Sequence, residues 1–247
     1  RYPLIFFLHG AGERGDDNEG QMRHFPELWG KKAYTEAFDC FVLAPQCRTG
    51  KKWVAIPWSK GRSSPLPKDP SHQMRAALMA YEATLRAHPV DEDRIYLTGL
   101  SMGGYGGLTL GLRNPELFVS IGSTSGALSY ARRNAAEARG EVAPRARRER
   151  TAEEQAGLEA RQARINPNIG IESFSSQAER TPAGRAFATA EGADAYDPFK
   201  LVLQVPHEDL PHIYLDSGTE DRLIGDARAF AQVLFENDVP FDFMQMP

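Results

Sequence analysis

Arg94-Ile-Tyr-Leu-Thr-Gly99-Leu-Ser101-Met-Gly103-Gly-Tyr-Gly106 is the stretch whose reading decides the fold. An apolar, β-branched run leads into Gly-x-Ser-x-Gly, and small residues suited to a helix start follow at once. Such a strand–turn–helix holds a serine on a tight elbow, its hydroxyl projecting above a sheet. Glycines 99 and 103 let the elbow backbone pass close to its neighbours, where a Cβ would clash. Met102 offers its amide at the helix N-terminus, where the dipole favours a developing oxyanion. A bare Gly-x-Ser-x-Gly carries little weight. With a strand before it and Gly104, Gly106 and Gly107 after it, the pattern marks Ser101 as the candidate nucleophile.

Upstream, Leu4 to Leu8 is continuously apolar, as a central parallel strand buried on both faces should be. It delivers His9-Gly10-Ala11-Gly12-Glu13-Arg14-Gly15. That turn can supply a second oxyanion amide, from Ala11 or, as the near alternative, Gly12. His9, fixed at a strand end, reads as a structural hydrogen-bonder rather than a base. Cys40 to Ala44 is the next strand, ended by Pro45, and residues 46 to 70 form a long irregular connection. Trp53 and Trp58 within it line a substrate cleft or cover an edge of the core. Ser71 is an N-cap for a crossover helix whose stripe is Met74, Ala77, Leu78, Tyr81 and Leu85, closed by His88-Pro89. Asp91 to Asp93 lead into the elbow strand. The helix after Ser101 runs to about Arg113, and Phe118 to Gly122 is the following strand. This alternation predicts an α/β chain with a mostly parallel, doubly wound sheet.

The alternation breaks between residues 129 and 196, which are rich in Ala, Arg and Glu and then punctuated by Gly, Ser and Pro. The expectation is an inserted helical cap or lid on a core made of residues 1–128 and 197–247. Asp197 to Leu203 returns the chain to the sheet as a short helix, and Pro211 to Ser217 is a strand. Gly225 to Glu236 is an amphipathic helix, with Ala229, Phe230, Val233 and Leu234 inward, and Pro240 to Met246 the last strand. A serine nucleophile needs a base and a carboxylate to orient it, in the chain order serine, acid, histidine. Asp221, in the loop after the strand that follows the insertion, is the candidate acid. Asp216 is the rival but lies within that strand, and Asp226 belongs to the next helix. All six histidines, at 9, 24, 72, 88, 207 and 212, precede Asp221. His212 falls at the start of its strand, the wrong end of the sheet.

Bulk properties narrow the rest. A net charge of −4, with Glu interleaved among the arginines, points to neither nucleic acid nor an anionic membrane as a partner. No apolar run approaches the roughly 20 residues that a bilayer needs. Cys40 and Cys47 flank an extended segment that would hold them roughly 20 Å apart, which predicts two free thiols. The chain opens on Arg1 and runs straight into a strand, and it stops directly after another. The expectation is a core trimmed at both ends, with the histidine base beyond Pro247.

Several segments together carry a family likeness. They are Leu8-His-Gly-Ala-Gly-Glu-Arg-Gly-Asp-Asp-Asn18, Ala44-Pro-Gln-Cys47, Asp93 to Tyr105 around the elbow, Asn114-Pro-Glu-Leu-Phe118 and Ser217-Gly-Thr-Glu-Asp221. With these the chain resembles the α/β-hydrolase superfamily, and within it the esterase D-like and predicted-peptidase-like carboxylesterases. The resemblance implies an α/β-hydrolase fold and a serine hydrolase acting on carboxylic esters, with Ser101 as nucleophile and Asp221 as acid. It also implies an oxyanion hole from the Ala11 and Met102 amides, with no metal or organic cofactor. Gly12, Trp58 and Tyr105 are then possible substrate contacts, and the partner is a small-molecule or carbohydrate-linked ester. In that family a Gly-Gly-His segment commonly follows a strand like Phe241 to Met246. The chain departs from the pattern in lacking that histidine and in its long charged insertion. Peptidase or acyltransferase chemistry on the same site, or a binding protein that has lost its base, are the alternatives. Neither compartment nor oligomeric state is legible.

Overall fold

Strand β1 (Tyr2–Leu8) is apolar on both faces because both are covered. Phe7 stacks on Phe25 of helix α1 (Phe25–Trp29), with ring centroids 5.1 Å apart, while Phe6, pointing the other way, stacks on Tyr81 of α3 (His72–Ala87) at 5.7 Å. The computed structural model describes residues 1–54, 71–141, 151–153, 156 and 194–247. After α1 come the short α2 (Lys32–Thr35) and β2 (Phe41–Leu43). Helix α3 is capped as expected, Ser71 Oγ accepting from Met74 N at 3.0 Å. It leads to β3 (Val90–Gly99), α4 (Met102–Arg113) and β4 (Ser120–Thr124). Helices α5 (Tyr130–Arg139) and α6 (Pro198–Leu201), strand β5 (His212–Gly218), helix α7 (Ile224–Glu236) and strand β6 (Phe241–Met246) complete the described chain.

Among the described residues the strands form one parallel sheet of six, in the order β2-β1-β3-β4-β5-β6. This is the α/β-hydrolase architecture. The chain moves one way from β1 to β2, then crosses back through α3 and moves the other way from β3 to β6. The carboxyl ends of β1 and β3, where Leu8 pairs with Gly99, therefore flank the switch point at which such sheets open a crevice. Helix α4 is buried along nearly its whole length, as a helix apolar all round should be. Phe199 of α6 meets Phe230 of α7 edge to face at 5.2 Å, continuing that layer. No described helix is long and apolar enough to cross a membrane.

Two boundaries differ from the sequence reading. Asp91 to Asp93 lie within β3 rather than leading into it, because Tyr2 pairs with Val90 while Leu4 already pairs with Ile95. The extra residues bulge outward beside Pro3, which has no N–H to give the ladder, and their acidic side chains stay near solvent. Strand β4 starts at Ser120, since Pro115–Leu117 form a 3-10 turn that Phe118 closes. On α7 the fully buried positions are Ala227, Phe230, Ala231 and Leu234, with Ala229 and Val233 partly buried. The expected cap over residues 129–196 falls largely outside the described residues, as does Trp58.

Candidate active site

Ser101 sits in the turn between β3 and α4 at φ 55°, ψ −108°, a conformation a side-chain-bearing residue adopts only when its surroundings impose it. Its neighbours do so. Leu100 N donates to Leu8 O at 3.0 Å and Ser101 N to Thr124 O at 2.9 Å. Ser101 O accepts from Tyr105 N at 3.1 Å and Ala127 N at 3.2 Å. Strands on both sides of β3 thus grip the elbow. The glycine spacing follows from the same closeness. A Cβ on Gly99 would lie 2.3 Å from the Gly103 carbonyl, and one on Gly103 would lie 1.7 Å from Leu8 O. Met102 opens α4, where first-turn amides have no intrahelical acceptor.

Beside the elbow runs the turn that leaves β1. A Cβ on Gly10 would come within 3.6 Å of Ser101 Cβ, so the segment entering Ala11 passes directly along the serine. Ala11 to Glu13 make one 3-10 turn. Arg14 holds that turn from behind, its Nε donating to Ala11 O at 2.9 Å and its Nη1 to Lys51 O at 3.0 Å. With the Ala11 carbonyl held by Arg14, the Ala11–Gly12 peptide, which carries the Gly12 N–H, is fixed in orientation. Ala11 and Gly12 are both partly exposed.

His9 is buried and structural. Cys47 N donates to its Nε2 at 2.8 Å, which leaves the ring proton on Nδ1, 2.6 Å from Gly10 O. Burial pushes its pKa down to about 4, so the ring is neutral. Trp53 is buried, donates to His9 O at 2.9 Å and packs its ring edge-on to the imidazole at 5.1 Å. It covers the core, and so resolves the two alternatives left open for it. Gln46 bridges the same loops, donating to Asp17 Oδ1 at 2.7 Å and accepting from Asn18 N at 2.7 Å. These contacts tie the residue 8–18 and 44–47 segments to each other. Glu13, Arg14 and Gln46 fall in the segments that carry the family likeness, but no sequence pattern assigned them a role of their own, and His24 lies outside those segments.

Asp221 lies in the loop after β5, half-buried, with Oδ1 accepting from Leu223 N at 2.9 Å. Because the strands are parallel, this loop opens on the same edge as Ser101. Thr219 N donates to Met246 O at 2.7 Å, so β6 also delivers its end beside the Asp221 loop. Asp216 is buried within β5, its Oδ2 accepting from Thr124 Oγ1 at 3.0 Å, while its Oδ1 has no partner among the described residues. Burial raises its pKa, against the Thr124 hydrogen bond. Asp226 is in the first turn of α7 and accepts from Ser129 N at 2.9 Å.

Other expected members are placed elsewhere. Tyr105, expected as a substrate contact, is fully buried on α4 and donates its hydroxyl to Tyr196 O at 2.7 Å. One helical turn past the serine its ring points into the core, not the crevice. His212 stands at the amino end of β5, 3.0 Å from Asp242. His88 closes α3 at that same end, His207 precedes β5, and His72 is exposed at the start of α3.

Residues 78–238, more than half of the chain, match a family model described as "Putative esterase". Comparison with curated proteins finds no match. Solved structures share the fold. A thermostable esterase is 23% identical with a TM-score of 0.59, the match covering 100% of this chain and 46% of that one. The S-formylglutathione hydrolase FrmB of Staphylococcus aureus is 18% identical (TM-score 0.58; 100% and 77% covered). FphF, a fluorophosphonate-binding serine hydrolase of the same organism, is 17% identical (0.57; 100% and 77%). The chain thus spans less than half of the thermostable esterase.

Proposed function

Because the chain belongs to the esterase family, we propose that it cleaves carboxylic esters through an acyl-enzyme on Ser101. The observation that carries this reading is the strained Ser101, gripped from both sides at the sheet's switch point and flanked by the Gly10–Ala11 turn and the start of α4. In this reading Ser101 Oγ attacks the ester carbonyl carbon while its proton passes to a base. The amides of Met102 and Ala11 stabilise the resulting oxyanion, and Gly12 borders the acyl group. Collapse expels the alcohol, which takes the proton back, and water then releases the acid by the same steps in reverse.

Asp221 orients the base. Its loop lies two strand spacings from the Ser101 loop, about 10 Å, a gap that an imidazole between them would bridge. None of the six histidines present occupies that gap, so the base is proposed as a histidine following β6, whose end already touches the Asp221 loop. Hydrolysis of p-nitrophenyl acetate by the full-length natural protein tests the reading. Ser101→Ala should lower turnover by about four orders of magnitude or more, and the acidic limb of the pH profile should report the histidine. Turnover that survives Ser101→Ala refutes the nucleophile. A natural protein without a histidine after β6 refutes the proposed base.

A further inference from the structure

Glu13 closes the turn that carries Ala11 and Gly12, yet its carboxylate folds back toward the serine. Only 4% of the residue is exposed. Its Oε2 has no hydrogen-bond partner among the described residues and lies 2.8 Å from where a Gly10 Cβ would be, the same point that is 3.6 Å from Ser101 Cβ. Gly10 is therefore held between the Glu13 carboxylate and the nucleophile. The other oxygen, Oε1, is 3.4 Å from Nε2 of His24. His24 caps α1 at φ 64°, ψ −109°, a backbone strain that places its ring over the turn.

We infer that Glu13 is a positioning residue for the Ala11–Gly12 turn and that His24, by gaining and losing a proton, sets how firmly that turn is held beside Ser101. A buried carboxylate oxygen lacking a donor is poorly stabilised, and a protonated imidazole on the other oxygen compensates it. When His24 loses its proton, the pairing weakens. The Glu13 charge, next to Gly10, then opposes the negative charge that develops on the reacting carbonyl. Both effects slow acyl transfer. The groups facing His24 are Glu13 on the turn, Glu27 on α1 and Arg23 before it. Beside Glu13 stand Arg14, engaged with Ala11 and Lys51, and His9, which is neutral. The hydrogen bond to Glu13 raises the His24 pKa above its ordinary value. The firm state therefore holds below that raised pKa and is lost as pH rises through it.

The inference rests on the esterase reading for its rate effect but not for its physical content, so two readouts separate them. In full-length protein, the imidazole of His24 and the amides of Ala11 and Gly12 are followed by NMR across pH. The amides should move with the His24 midpoint in the wild type and stop doing so in Glu13→Gln and His24→Gln. For ester hydrolysis, kcat/KM should fall up to about fivefold through the same midpoint, the range a half-exposed ion pair can supply. That limb should vanish in both variants and return in part in Glu13→Asp. If turnover is independent of Ser101 the esterase reading fails, and the amide titration alone decides this one. Ala11 and Gly12 amides indifferent to His24 overturn the inference. So does a Glu13→Gln variant slowed equally at every pH.

Discussion

Two glycines one turn apart on α4 test the geometry of the elbow with the same substitution. A Cβ at Gly103 would lie 1.7 Å from Leu8 O, 2.4 Å from Leu8 C and 2.7 Å from His9 O. All three atoms are backbone, so no side chain can turn away. Relaxing the first contact to an ordinary carbon–oxygen separation needs α4 to withdraw from β1 by about 1.5 Å. Overpacking that side chains can absorb costs about 1–3 kcal/mol. A backbone clash of this size should cost about 4 kcal/mol or more, offset by about 1 kcal/mol for replacing glycine inside a helix. At Gly107 the nearest atoms to a Cβ are 3.7 to 3.9 Å away, ordinary contact. Gly107→Ala should therefore stabilise by about 0.5–1 kcal/mol. Urea titrations should show the midpoint falling for Gly103→Ala and rising for Gly107→Ala. Thermal midpoints should drop by about 6–12 °C in the first case and rise by about 1–4 °C in the second. A loss under about 1 kcal/mol at Gly103, or shifts of the same sign at both sites, would falsify the packing argument.

Three further outcomes follow from buried polar groups. Burial pushes Asp197 up to about 6, against the Phe199 amide it caps at 3.1 Å and the nearby Arg132. Its folded pKa is raised, so stability is held at low pH and lost as pH climbs from about 4 through 6. Asp197→Asn keeps the cap and should gain about 1–3 kcal/mol at pH 8 but nothing at pH 4 by urea titration; an equal gain at both pH values contradicts it. His9 is shifted down to about 4, so its stability is present above the ordinary histidine pKa of about 6.5 and lost as pH falls toward 4. His9→Asn should be less stable at pH 7 yet lose less on acidification, which the pH dependence of unfolding checks. Cys47 is buried with its thiol pushed up to about 12, whereas Cys40 is partly exposed and accepts from Trp29 Nε1 at 3.2 Å. A disulfide reagent at pH 8 should titrate one thiol in the native protein, and the second only after denaturation.

The elbow was legible because its glycines are demanded by backbone contacts that any such turn must make, as Gly99 and Gly103 do here. The sheet was legible for a similar reason: Leu4 to Leu8 has no polar face to give to water. What escaped the sequence depends on residues that meet only through the fold. Tyr105 lies four positions after Ser101 and looks adjacent to it, but its partner is Tyr196, on a segment 91 residues away. Glu13 and His24 are brought together by the docking of Phe25 on Phe7, which no local pattern encodes. Trp53 could have faced substrate or core, and the hydrogen bond from its indole to His9 O decides for the core. The early start of β3 was hidden because a bulge needs no alternation, so Asp91 to Asp93 read as leading into the strand rather than as part of it.

His9 and Asp197 also bear on each other. One lies beside the Ser101 turn and the other beneath α4, and both are deeply buried. Their linkages have opposite signs over nearly the same pH range. As pH falls from about 6 to 4, the folded protein gains stability from protonating Asp197 and loses it as His9 comes under pressure to charge. The two displacements are of similar size, so these two contributions nearly cancel over that range. A small combined contribution from this pair then reflects two strong perturbations in balance rather than their absence. Removing one side reveals the other. Relative to the wild type, Asp197→Asn should lose its advantage as pH falls below about 6, and His9→Asn should recover its deficit as pH falls toward about 4. Neither group figures among the causes of the other's shift, so the double variant should return to the slope of the wild type over this range.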